Sequence, residues 1–116
     1  MRHVVRAQQP NPSDPKKFWC KVYQTKHEVV AAICDEDVLG RTLEDGKFKV
    51  TVNRSFYGGL LIEEGVALKI MHKVTIGNLM GENIVEVAVR GGFITRENLI
   101  FIDGVPHAQF VKLNQR

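Results

Sequence analysis

The chain has 116 residues, a formal net charge of +3, 44% hydrophobic and 25% charged residues, the size and composition of one soluble globular domain with a single core. No apolar run approaches the ~18 residues of a membrane-spanning helix, and Met1 to Arg6 carries charge with no apolar stretch behind it, so no secretory leader is expected and the cytoplasm is the expected location. Residues 1–21 hold Arg2, Arg6, Lys16, Lys17 and Lys21 against Asp14 alone, leaving 11 basic and 12 acidic residues in the remainder; the basicity sits in the leading segment and the body is near neutral.

Three of the four prolines fall within Pro10-Asn11-Pro12-Ser13-Asp14-Pro15, a stretch without apolar residues to bury, and residues 1–17 are read as a flexible, Pro-rich basic arm. The folded domain is expected over residues 18–116. Phe18, Cys20 and Val22 alternate with Trp19, Lys21 and Tyr23 as in a half-buried strand, and after the polar turn Thr25-Lys26-His27 the apolar run up to Cys34 makes the second, central strand of a hairpin. Asp35-Glu36-Asp37 reads as a solvated turn, since three consecutive carboxylates lack the spaced ligands of a calcium loop.

Glu44-Asp45-Gly46 is a turn, followed by a strand with Phe48, Val50 and Val52 toward the core and Lys47, Lys49 and Thr51 toward water. Asn53 to Gly59 reads as an irregular loop. From Ile62 to Lys73 the spacing of Ile62, Val66 and Ile70 predicts a helix, with Glu63 and Glu64 in its first turn and His72 and Lys73 in its last, the order favoured by the helix dipole. Val74 to Ile76 is a short apolar segment. Asn83 to Arg90 is read as helix because Glu86 and Arg90 stand at i, i+4 and Gly91-Gly92 supplies a stop. Leu99 to Ile102 is an apolar strand, Asp103-Gly104 a hairpin turn, and Ala108 to Leu113 a last strand, placed at a sheet edge because Pro106 donates no ladder hydrogen bond. The order predicts an α+β (mixed α/β) domain, a single twisted sheet of about five or six strands covered by two helices.

Cys20 and Cys34 fall in neighbouring strands, and both are expected to be reduced and buried. His3, His27, His72 and His107 occur singly, which provides no metal-ligand spacing. Gly77-Asn78-Leu79-Met80-Gly81-Glu82 lacks the three-glycine dinucleotide fingerprint and the P-loop lysine, so Asn78 is read as a helix cap with phosphate binding as the rival reading. Neither metal nor cofactor is expected.

Four separated motifs, Cys34-Asp35-Glu36 with Leu39-Gly40, Phe56-Tyr57-Gly58-Gly59, Asn78-Leu79-Met80-Gly81-Glu82, and Gly104-Val105-Pro106-His107-Ala108-Gln109, resemble in order and spacing the archaeal family known as domain of unknown function 424. The resemblance covers about residues 18–112, and the leading arm departs from it. The family has no established activity; the resemblance implies an RNA-binding role, by which some of its members are described.

Tyr57 with Gly58 and Gly59 could form a platform for stacking a base, or simply turn the chain. Lys47, Lys49 and Arg54 would supply charge toward phosphate, or be a solvated face. His107, beside Gln109, could act as a base or fix the proline-bearing turn locally. These residues frame an RNA-binding accessory factor working with the translation machinery, its partner an RNA or ribonucleoprotein. The alternatives are a module that adds a protein partner to the terminal edge strand and an enzyme with a His107/Tyr57 site, for which no nucleophile–base spacing is visible.

Overall fold

Eight strands and three helices fill the described residues of the computed structural model, 14–113. The arm expected over residues 1–17 therefore lies largely outside them. Strands β1 (Lys17–Gln24), β2 (Val29–Asp35), β5 (Leu60–Glu63), β6 (Ile76–Met80), β7 (Ile100–Ile102) and β8 (Val105–Val111) form one six-stranded sheet in the order β5-β1-β2-β6-β8-β7. All neighbours are antiparallel except the central pair β2 and β6. The fold is α+β, as the patterning predicts. No helix among the described residues is long and apolar enough to cross a membrane.

Alternation along each strand divides the apolar residues between two layers. On one face Phe18, Cys20, Ile33, Leu79, Ala108 and Phe110 pack against helices α2 (Glu64–Lys73) and α3 (Glu82–Arg90). On the other, Ala32, Cys34, Met80 and Val105 pack under a second, two-stranded sheet of β3 (Thr42–Asp45) and β4 (Phe48–Thr51) and the short helix α1 (Arg54–Tyr57). The hairpin is seated by Leu43 and Val52, both fully buried, and by the Asp45 carboxylate, which accepts from the Asp103 N–H at 3.1 Å. Phe48, expected in the core, is 71% exposed; it follows the β3–β4 turn and pairs with Asp45 at the turn end of the hairpin.

Three further readings change. The helix expected from Ile62 starts at Glu64, because Ile62 pairs with Phe18 as part of β5 and Glu63 is its N-cap. The irregular loop after Asn53 contains α1, capped by the Asn53 side chain, which accepts from Ser55 N–H at 2.8 Å. The last strand is interior, lying between β6 and β7, so the edge belongs to β7. Pro106 fits there because its carbonyl accepts from Gly81 N–H at 2.9 Å, which aims its missing donor at the end of β6, where no acceptor needs it. Cys20 and Cys34 are free and buried in neighbouring strands, as expected; they point to opposite faces of the sheet, and burial pushes their thiols up to about 11 and about 12.

The fourth-motif turn behaves as read: Asp103 (φ 53) and Gly104 (φ 78) both adopt positive φ, as a two-residue hairpin connection between Ile102 and Val105 requires.

Asp35 is not solvated. It is 4% exposed, and its carboxylate accepts from the backbone N–H of Asn83 (2.8 Å) and Ile84 (2.7 Å), the second and third residues of α3. The N-cap of α3 is Gly81, which has no side chain to supply these bonds, so β2 supplies them. Gly81 must be glycine here, since its φ is +126 and a Cβ would lie 2.4 Å from the Asp35 carboxyl carbon. Burial pushes the Asp35 carboxyl up to about 6 although both N–H donors pull it down. A folded value above the unfolded one stabilises the protein most below about pH 4, and the contribution is lost as pH rises through about 6. Urea unfolding from about pH 4 to about pH 7 should therefore show a loss of about 2 to 3 kcal/mol in the parent that is absent from Asp35→Asn. Parallel profiles for the two proteins would assign the dependence to another group.

Candidate functional site

Asn78 is a strand residue, not a helix cap. The flanking glycine that gives its segment the look of a loop has another cause: the Phe110 ring lies over Gly77, where a Cβ would sit 2.2 Å from a ring carbon. With Gly77 inside β6, alternation sends Asn78 and Met80 to the hairpin face. The register of β8 brings His107 opposite Met80 and Gln109 opposite Asn78.

From above the sheet, α1 delivers Tyr57. The helix is pinned to β1 by its carbonyls: Tyr23 Oη donates to Phe56 O (2.6 Å) and Ser55 O (3.1 Å), and Lys21 Nζ donates to Ser55 O (3.0 Å). The Phe56 ring stacks on Tyr23 at 5.5 Å and meets Tyr57 edge-on at 4.9 Å. Gly58 and Gly59 permit this approach, because a Cβ at Gly59 would lie 2.4 Å from Cys20 O and one at Gly58 would lie 2.6 Å from Arg54 O. Gly59 thus serves the contact between α1 and β1, and Gly58 the tight C-terminal turn of α1 itself.

Tyr57, Asn78 and His107 meet. Tyr57 Oη donates to Asn78 Oδ1 at 2.5 Å, and His107 Nε2 lies 3.3 Å from the same oxygen. They floor a hollow of about 260 Å³ whose remaining walls are Val50 and Thr51 of β4, Met80 and Ile102. Tyr57 is 6% exposed, so its ring is not a surface platform for stacking. Burial also pushes its hydroxyl well above the usual range, keeping it a donor.

The protonation pattern follows from the acceptor. A carbonyl oxygen only accepts, so His107 meets Asn78 Oδ1 through Nε2–H, and in the neutral ring Nδ1 is left with a lone pair. Burial lowers the His107 pKa, which favours that neutral ring at pH 7. Oδ1 then receives two donors, and among the described residues the Asn78 Nδ2 donor has no hydrogen-bond partner and is not sealed from solvent. Of this trio, the Asn78 Nδ2 donor and the His107 Nδ1 acceptor are left without a partner among the described residues.

The other sequence-derived residues are arranged less tightly. Gln109 is exposed on the same strand face, two residues beyond His107. Lys49 forms an exposed ion pair with Glu44 at 3.9 Å, Lys47 is exposed beside the β3–β4 turn, and the Arg54 guanidinium lies over Gly40. None of these three cations lines the hollow. Val50, Thr51, Met80 and Ile102 were not singled out from sequence; they come from β4, β6 and β7, and only the packing of the hairpin over the main sheet brings them to one hollow. Among the residues lining the hollow the one aliphatic hydroxyl, that of Thr51, bonds Thr42 Oγ1 at 3.0 Å rather than a carboxylate or an imidazole.

Removing the shared acceptor should be felt by both partners. Tyr57→Phe should cost about 1 kcal/mol and Asn78→Ala about 1 to 3 kcal/mol in urea unfolding, because the latter leaves a buried hydroxyl unbonded. The double variant should cost clearly less than the sum; strict additivity would show that the bond contributes nothing to stability.

Residues 23–113 match the family described as "Protein of unknown function (DUF424)". A crystal structure of an uncharacterized conserved protein from Methanopyrus kandleri superimposes with a TM-score of 0.74 and 26% identity, over 86% of this chain and 96% of the other. No curated protein matches the chain. The match across most of the folded domain makes the chain a member of the DUF424 family of proteins of unknown function.

Proposed function

We propose that the protein is an RNA-binding accessory factor acting in the cytoplasm on an RNA or a ribonucleoprotein, with no chemical step of its own. The observation that carries this reading is an open hollow with largely apolar walls and a hydrogen-bonding floor, two of whose contributing elements, β4 and α1, also carry Lys49 and Arg54. Lys47 lies just ahead of β4 and extends the series of exposed cations. Such cations set position through phosphates, while a concave polar floor supplies selectivity. An added protein strand is a poorer fit. At the edge next to the last strand, β7 is three residues long and the N–H of Asp103, which follows it, is already bonded to Asp45; the opposite edge, β5, is four residues long.

Fluorescence anisotropy with a labelled single-stranded RNA tests the reading. Three phosphate contacts give a log–log salt slope of about −2, so affinity should fall roughly tenfold or more from about 50 mM to about 200 mM salt. Replacing Lys47, Lys49 and Arg54 together with alanine should flatten that slope. Absence of association at low salt would reject the proposal.

A further inference from the structure

The geometry points to a second copy of this chain docking on the β5 edge of the main sheet, strand against strand, about a two-fold axis through Leu61. β5 reads Leu60-Leu61-Ile62-Glu63, an edge strand with neither lysine nor proline to block pairing. Leu60 is 73% exposed, and Leu61, Val22 and Val66 are exposed as well. An open groove of about 210 Å³ next to them has Val22, Leu60, Ile62 and Ile70 in its walls. The other edge is guarded, since β3 lies against β7 and Asp45 occupies the Asp103 N–H. Four residues hold a foreign strand weakly, but an identical copy adds side-chain packing on both faces of the sheet.

Symmetry selects the register. Residues directly opposite in an antiparallel pair share a face, so when a strand pairs with its own copy one residue must stand opposite itself. Centring on Ile62 sets Leu61 against Glu63 and Leu60 against Glu64, whereas centring on Leu60 sets Leu61 and Ile62 against Gly59 and Gly58. Only Leu61 at the centre matches apolar with apolar: Leu61 meets Leu61, Leu60 meets Ile62, and Glu63 meets Gly59.

The charges agree with that choice. Lys17, Trp19 and Lys21 alternate onto the hairpin face of β1, as do Leu61 and Glu63 of β5. Lys21 flanks Gly59 on its inner side, where a Cβ on the glycine would lie 3.1 Å from the Lys21 Cβ. Glu63 of the second copy comes up on the outer side, and the glycine places no side chain between the two. Two strand spacings separate their backbones by about 10 Å, a span that two long side chains cover. Both are available. Among the described residues Glu63 forms no ion pair, not even with Lys17 opposite it, and no cap hydrogen bond on α2; Lys21 donates to Ser55 O and keeps further protons. A perpendicular axis also leaves both hairpin layers on one side of the joined sheet.

Sedimentation equilibrium of the full chain tests the inference. The parent should be a dimer at about 100 μM, well above a micromolar dissociation constant. Leu60→Asp, which sets a charge against Ile62 of the copy, should sediment as a monomer with the circular dichroism of the parent, and Glu63→Lys should weaken the dimer severalfold by setting two cations against each other. On oxidation Leu61→Cys should cross-link to itself, because a residue on the axis meets its own copy at about 5 Å between Cα atoms, within disulfide range. Phe48→Cys, exposed on the hairpin, should not. A monomeric parent, a Leu60→Asp variant that dimerises as well as the parent, or cross-linking no faster in Leu61→Cys than in Phe48→Cys overturns the inference. An open series of larger species would do the same, since a contact between unlike edges does not close.

Discussion

Parallel pairing of β2 with β6 is the constraint from which the architecture follows. Two parallel neighbours cannot be joined by a tight turn, and here the crossover consists of every residue from Glu36 to Thr75. Within it the chain lays the β3–β4 hairpin and α1 over one face, returns to the sheet edge as β5, and covers the other face with α2. Closing so long a loop is costly in entropy before any contact rewards it. The bonds that fix the two ends are correspondingly specific. At one end the Asp35 carboxylate joins β2 to the start of α3; at the other, Thr75 bonds Glu28 Oε1 at 2.7 Å and Val29 O at 3.1 Å.

The same crossover explains why the hollow contains residues far apart in sequence. Tyr57 lies inside the crossover, whereas Asn78 and His107 belong to the strands that follow it. Their meeting depends on α1 being held down by Tyr23 and Lys21 of β1, so a strand that lines no part of the hollow determines the position of its floor. Basic character can thus be spent on structure. Lys21 holds α1, and Lys112 donates to the final carbonyls of α2 while lying 5.9 Å from the centre of the Phe110 ring.

Much of the architecture is legible from periodicity. Phe18 to Tyr23, Glu82 to Arg90 and the Asp103-Gly104 turn were readable because local preference and tertiary environment agree there. Misreadings occur where a residue serves a distant partner. Gly77 looks like a loop glycine but accommodates the Phe110 ring; Asp35 looks like a surface carboxylate but caps a helix 48 positions away. Pro106 looks like an edge marker although the end of β6 excuses its missing donor. Of the candidate site, the sequence showed that Tyr57, Asn78, His107 and Gln109 were unusual. It could not show that one oxygen joins three of them, because that depends on the register of β6 against β8 and on the height of α1 above the sheet.

The two cysteines turn this layered arrangement into a pair of internal gauges. Cys20 is nearly covered on the helical side and Cys34 fully buried beneath the hairpin, so alkylation of each is slowed by its own covering layer. Comparing the trapping rates at the two sulfurs would separate breathing of the hairpin roof from breathing of the helical side, within one unmodified polypeptide.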